Sequence, residues 1–446
     1  MGPTNSFKPD PSGLKFLGFW ITPGLTRGNV GAVFFASFTT IPMIVYLSLI
    51  QPYLLTEIVG IPEARQGIVT GYLALVQECI VIALVGFVGA WSDRVGRRRI
   101  YVLGLCTLGA GYLIYPMAGS ELDLFIYRIP LILGIIMSSV MVNSTLQDMP
   151  QEVSRGKWLG INNFIQGTGI LLLATVLLTR APQWYVGLGF DEVTAGRLAL
   201  WNAALICLIA AVVIRAGLPV STGAKQQKEN VRRQFLLGVK AGLQNPRLAL
   251  GFAAAFIGRG DLIVVGLFFS LWVTQYGGDQ GLSTADSVAK AGMLFGIIQL
   301  SALIWAIFMG VIADRVNRVT GVVIAFGFAA AGYGLMGQVQ DPFGPALIPI
   351  AILLGIGEVS VIVTAGALVG QEARASLRGA IVGVRDLVGG LGIMFAGFLG
   401  GVVFDAIGRT APFTMMGILN AVLMVLALVV RFRAGAPSVE NNDEFQ

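Results

Sequence analysis

Gly89-Ala90-Trp91-Ser92-Asp93-Arg94-Val95-Gly96-Arg97-Arg98 lies between two long apolar runs. An imperfect copy, Gly310-Val311-Ile312-Ala313-Asp314-Arg315-Val316-Asn317-Arg318, follows 221 positions later. A charged, glycine-punctuated turn used twice implies two related halves, each with a tight turn between membrane helices. Other stretches repeat at nearly the same spacing. Arg155-Gly156-Lys157-Trp158-Leu159-Gly160 aligns with Arg378-Gly379-Ala380-Ile381-Val382-Gly383, and Gly167-Thr168-Gly169 with Gly390-Leu391-Gly392, at an offset of 223.

Composition sets the class. Of 446 residues, 55% are hydrophobic and 12% charged, against about 25% charged in soluble domains. Mean hydropathy is +0.79. A helix needs about 20 apolar residues to cross a bilayer. Twelve such runs are read, at 31–53, 67–89, 100–118, 125–147, 158–179, 197–216, 249–274, 290–311, 319–337, 345–368, 380–403 and 411–431. The expected fold is an all-α integral membrane protein, with twelve transmembrane helices in two pseudo-symmetric six-helix bundles. The expected organisation is an interfacial segment 1–30, an N-terminal bundle 31–216, a polar linker 217–248, a C-terminal bundle 249–432 and a tail 433–446. Leu14 to Ile21, with Phe16, Phe19 and Trp20, suits a segment lying in the membrane interface. It is too short, and lacks the cleavage site, for a secretory signal.

Charge sets orientation. Of the 30 Lys and Arg, 22 fall in one alternating set of loops and termini and five in the other. The basic side is the cytoplasmic one, so both termini and the linker are expected in the cytoplasm, with the chain in a cell (inner or plasma) membrane. The linker is expected to lie along the anionic inner leaflet. No basic stretch is interleaved with stacking aromatics, so nucleic acid is not an expected partner.

Several chemistries are disfavoured. The chain has no His, which removes the commonest metal ligand and general base. Cys79, Cys106 and Cys207 lie in apolar runs without a CxxC pair and read as small buried hydrophobes. No GxxxxGK[ST] loop is present for ATP, nor a nucleophile motif. No metal, no cofactor and no enzymatic activity are expected.

The Gly89–Arg98 turn resembles the signature loop between the second and third helices of the major facilitator superfamily, Gly-x-Leu-(Ala/Ser)-Asp-Arg-x-Gly-Arg-(Lys/Arg), with Trp91 in place of the Leu. Gly89 is expected to allow close helix approach and Gly96 a sharp turn. Asp93 suits the N-terminus of a neighbouring helix, which in the family is the eleventh. The loop Asp148-Met149-Pro150-Gln151-Glu152-Val153-Ser154-Arg155-Gly156 also resembles the family, and Asp148 and Glu152 are candidate partners for Arg97, Arg98 or Arg155. The resemblance covers roughly residues 31–431 and implies a gating motif comprising Gly89, Asp93, Arg94, Gly96, Arg97, Arg98, Asp148, Glu152, Arg155, Asp314 and Arg315. It also implies a monomer. Two positions depart from the family. Gly134 follows Arg128 by six residues instead of four, and the fifth span, from Gly160 to Gly169, lacks the Gly-Pro signature of many drug/proton antiporters.

Charges inside spans cost roughly 2.5–3.5 kcal/mol each to insert, so they are the candidate site residues. They are Glu78, Arg128, Arg259, Asp261, Glu358, Arg385 and Asp386. Helix-to-helix ion pairing is the plain alternative. Asn162 and Asn163 occupy in the first half the places of Arg385 and Asp386, and Gln166 adds a hydrogen-bonding group. A carboxylate poised between desolvation and a nearby Arg can load and release a proton. An Arg can hold an anionic group bidentately. The expected function is secondary active transport of a small organic solute by alternating access, with the proton as coupling ion and lipid as surroundings. The alternative is a transporter-like receptor or scaffold, which would bind ligand without flux.

Overall fold

A bilayer offers backbone groups no hydrogen-bond partners, so apolar runs must satisfy themselves as helices. The computed structural model describes residues 10–16, 18–219 and 231–433. The middle of the linker, including Lys225 and Lys228, and the tail from 434 onward lie outside the described residues. Among the described residues, twelve helices are long and apolar enough to cross a membrane. In unit 1 they are α1 (Arg27–Ile58), α3 (Arg97–Met117), α4 (Glu121–Asp148), α5 (Glu152–Gly187) and α6 (Glu192–Gly217). In unit 2 they are α8 (Pro246–Asp279), α9 (Thr284–Arg315), α10 (Arg318–Met336), α11 (Leu347–Glu372), α12 (Arg378–Ala406) and α13 (Ala411–Arg433). The twelfth, α2 (Glu63–Val95), is shared. A shorter helix, α7 (Val231–Gln244), precedes α8. The compact units are Met1–Gly60 with Ile80–Gln226, and Ile61–Cys79 with Gln227–Gln446, so the division falls within α2.

The two units repeat one packing scheme. In unit 1, α3 packs on α4 and α6, and α1 on α5 and α6. In unit 2, α10 packs on α11 and α13, and α8 on α12 and α13. The repeat reaches single contacts. A side chain on Gly111 would meet Leu131, and one on Gly134 would meet Leu108. The matching pairs are Gly332 with Leu354 and Gly357 with Ala329. Gly169 sits against the carbonyl of Phe38, and Gly392 against that of Phe256. Small residues let membrane helices approach closely, and Gly134 serves here as a packing residue.

The first half of α2 is fixed to unit 2 by the same device. Gly67 and Gly71 face Gly397 and Gly401 of α12, where a Cβ on Gly71 would lie 3.0 Å from the Gly397 oxygen. Asp405 accepts hydrogen bonds from the backbone N–H of Gly67 at 2.9 Å and of Ile68 at 2.7 Å. Arg409 reaches both Glu63 and Asp279.

The segment before α1 differs from expectation. Leu14–Phe16 (β1) and Phe19–Ile21 (β2) form an antiparallel hairpin turned at Gly18. The hairpin extends onto the loop after α4 through Ile21 and Pro150. The Trp20 amide donates to Ser154 Oγ at 2.8 Å, and the Gln151 amide to the Trp20 carbonyl at 2.9 Å. Phe19 and Ile21 are buried in the core with Trp158. The partner strand is a distant loop, which local hydrophobicity does not report. The cysteines are free, but only Cys207 is buried; Cys106 is intermediate and Cys79 exposed.

Candidate functional site

Six of the seven intramembrane charges lie in unit 2, and four of them form one group. Asp386 is the hub. Its Oδ1 accepts from Arg385 Nη2 at 2.8 Å and Nε at 3.1 Å, and from Arg259 Nη2 at 3.4 Å. A Cβ on Gly389 would lie 2.9 Å from Arg259 Cγ, so the glycine makes room for the arginine stem. Glu78, on the first half of α2, is buried and within reach of the Arg259 charge. Two cations and two anions balance one another. The Arg259 and Asp386 side chains remain 45% and 46% exposed. Half-exposed charges at mid-span are too costly against acyl chains, so this face borders water or protein.

A second group in unit 2 has a different character. Asp261 on α8 and Glu358 on α11 are buried, and their charges interact. Asn420 of α13 donates its amide to Asp261 Oδ1 at 2.9 Å and to the Met416 carbonyl at 2.9 Å. Tyr333 of α10 lies within electrostatic reach of both carboxyls. Four oxygens here have no partner among the described residues: Asp261 Oδ2, Glu358 Oε2, Tyr333 OH and Asn420 Oδ1. No Lys or Arg forms an ion pair with either acid among the described residues. The first half has no such group. By the matching glycine contacts, Met43, Tyr112 and Ile135 occupy the places of Asp261, Tyr333 and Glu358. Tyr112 there donates to the Met43 carbonyl. Sequence reading missed Asn420 and Tyr333. The available signals were an Asn within the apolar 411–431 run and a Tyr 221 positions after Tyr112.

Unit 1 holds the remaining candidates. Buried Arg128 donates from Nη1 to Gln51 Oε1 at 2.8 Å and to Tyr115 OH at 2.8 Å. Asn162 is fully buried and ties α1 to α5: it accepts from Ser37 Oγ at 3.0 Å and donates to the Trp158 carbonyl at 2.9 Å. Asn163 is exposed and Gln166 partly so. The exposed member of each matching pair is thus the second, Asn163 and Asp386.

The signature turn is built as a charged clasp within unit 1. Gly96 has φ of 99°, which only glycine adopts freely, and it starts α3. Arg97 forms an ion pair with Asp148 and stands 4.0 Å from Asp93. Arg98 caps the end of α6 by donating to the Leu218 carbonyl at 3.0 Å. Arg155 pairs with Glu152 at 2.7 Å. Arg94 and Arg315 are exposed, and Asp314 pairs with Arg318 at 3.0 Å. Gly89 differs from expectation: nothing lies within 4 Å of a Cβ placed there, so no close approach requires it. Because Arg97 keeps Asp148, Asp93→Asn removes only a weak, partly exposed pair. We expect unchanged expression and an unchanged melting midpoint. A thermal melt of the purified variant against the parent checks this.

The model of the Major Facilitator Superfamily matches residues 31–343 and 285–446. The chain belongs to this superfamily. Its twelve apolar helices make it a multi-pass membrane protein. It is 29% identical over 386 residues to the magnetosome protein MamZ of Paramagnetospirillum magneticum, covering 82% of this chain. The chain spans 57% of that relative's length. It is 24% identical to a class E tetracycline resistance protein of Escherichia coli, over 78% of this chain and 82% of that one. Among solved structures it is similar to the nucleoside transporter NupG, with a TM-score of 0.71 at 13% identity, covering 91% of this chain and 99% of that one. At that identity the likeness concerns the fold alone.

Proposed function

We propose that the protein is a proton-coupled secondary transporter of a small organic solute, working by alternating access. The observation that carries this reading is the Asp261–Glu358 pair, buried without a basic partner. Burying an unpaired ionised carboxylate is expensive, so a pair in this position is suited to holding protons and exchanging them when water reaches it. Asp261 and Asn420 are 0% exposed and Glu358 4%, so the whole group is shut away from the surface in this structure. The Arg259–Asp386–Arg385–Glu78 group supplies the polar lining for solute, and buried Arg128 a donor for an anionic moiety. The signature clasp, with Asp93 and Arg97, is the gate. The tetracycline named for one similar protein is the first organic probe to try. The loop charge bias supports cytoplasmic termini in the inner or plasma membrane, which reagent access to single cysteines at either end tests.

The test is flux into proteoliposomes with and without a pH gradient, over a panel of organic solutes. Gradient-dependent accumulation supports the proposal. Binding without flux for any solute, or accumulation indifferent to pH, overturns it.

A further inference from the structure

The part of unit 2 that begins α8 holds a cavity the transport reading does not use. It has a volume of about 460 Å³ and is lined by α7, the start of α8, the end of α11 and the loop into α12. Its floor is a neutral network. Arg247 and Glu372 are both buried and 3.7 Å apart, and the Asn245 amide donates to Glu372 Oε2 at 2.8 Å. Asn245 Oδ1 accepts from the amides of Arg247 and Leu248, capping α8. The floor therefore offers no surplus charge. The surplus lies higher on the wall, where Lys240 and Arg374 are both exposed and both line the cavity. Apart from Gln244, the rest of the wall is apolar, with Leu237, Leu377 and Ile381.

The helix that carries Lys240 has three faces. Gly238 and Gly242 press it onto α12 and Phe252. Leu237, Lys240, Ala241 and Gln244 line the cavity at helical spacing. On the adjoining side Leu236 and Leu243, seven residues apart, are 56% and 84% exposed. An amphipathic helix with an uncovered leucine ridge beside basic residues lies in a membrane interface with the ridge among acyl chains. Lys240 then sits between the ridge and the cavity mouth, its stem along apolar surface and its ammonium at headgroup level.

We infer that this cavity is a binding site for an anionic phospholipid, with the phosphate headgroup between Lys240 and Arg374 and the glycerol and upper acyl chains against Leu237, Leu377 and the α7 ridge. Basic pockets at the cytoplasmic ends of membrane helices take headgroups of this kind. The inference rests on the cytoplasmic placement of the linker argued above. Free phosphate would use the two cations but not the leucine ridge, so the amphiphile fits both sets of groups.

The test uses the purified full-length protein and does not depend on transport, so its failure is separable from failure of the transport reading. Mixed micelles carry phosphatidylglycerol or phosphatidylcholine with matched acyl chains, and lipid retained after delipidation is counted by native mass spectrometry. Phosphatidylglycerol is expected to be retained preferentially. The Lys240→Gln, Arg374→Gln double variant should weaken retention roughly 25-fold, since each basic residue near an anionic surface is worth about a fivefold factor. The Lys240→Arg, Arg374→Lys variant should bind as the parent does, with all three proteins monodisperse. Equal retention of the two lipids, or undiminished retention by the neutral variant, overturns the site. Displacement of phosphatidylglycerol by millimolar inorganic phosphate overturns the lipid as occupant.

Discussion

Replacing Asp261 with Asn and Glu358 with Gln in one chain is expected to leave solute exchange running while removing its response to a pH gradient. Asn at position 261 still accepts from the Asn420 amide, which now bonds Asp261 Oδ1 at 2.9 Å. Shape and packing are retained, and what is lost is the capacity to bind and release protons. A gradient of one pH unit is worth about 1.4 kcal/mol per proton, or tenfold in accumulation. Accumulation driven by that gradient should fall at least about tenfold, to the level seen with the gradient collapsed. Counterflow at equal pH should persist. Because a buried carboxylate without a countercharge is costly, its removal should leave the melting midpoint where it is or raise it. Accumulation that still follows the pH gradient in this variant would remove the pair from the mechanism. A collapsed melting transition would show that the carboxyls hold the helices together. The same measurement on Glu78→Gln and Asp386→Asn tests the exposed group. Asp386→Asn leaves Arg259 and Arg385 without their shared negative charge, so there a change in solute affinity is the expected result.

Gly401→Leu should be severely damaging to the packing of unit 2, and Gly366→Leu nearly silent. A Cβ at 401 would run into the Gly67 carbonyl and stand 3.0 Å from Gly71 Cα. Both are backbone and neither can swing aside. Overpacking of this kind costs about 1–3 kcal/mol, and more where backbone must move. The displaced helix would also pull Asp405 from the amides of Gly67 and Ile68, two hydrogen bonds worth about 1 kcal/mol each in ordinary cases. At Gly366 nothing lies within 4 Å of the added atom. Thermal melts of the two purified variants against the parent decide the matter. Equal midpoints would mean that α2 and α12 do not meet through their glycines.

The class and the repeat were legible along the chain because both are written in local composition. Twelve apolar runs became twelve spans, and the matched stretches around Gly169 and Gly392 became matched contacts. Gly96 announced its own turn. Other features could not be read, for reasons that are physical. Gly89 and Gly134 look alike in sequence, yet one faces open space and the other presses on the backbone of Leu108. A glycine's role depends on what lies opposite it. The intramembrane charges had the same ambiguity. Asp386 and Asp261 are both acids in apolar helices, but one is held by two arginines and the other by an asparagine 159 residues away. Asn162, matched by position to Arg385, proved to be a clasp between α1 and α5.

The sequence by itself determined that the chain crosses a membrane twelve times as two copies of one bundle. Hydrophobic length and repeated spacing are properties of neighbouring residues, and a bilayer forces them into helices. Only the tertiary structure decided which charges cancel and which stand without a countercharge. The cost of a charge is set by the groups within a few ångströms of it, and in a helical bundle those groups come from distant parts of the chain. The hairpin at Leu14–Ile21 follows the same rule, since its place depends on a loop more than a hundred residues away that offered it hydrogen bonds.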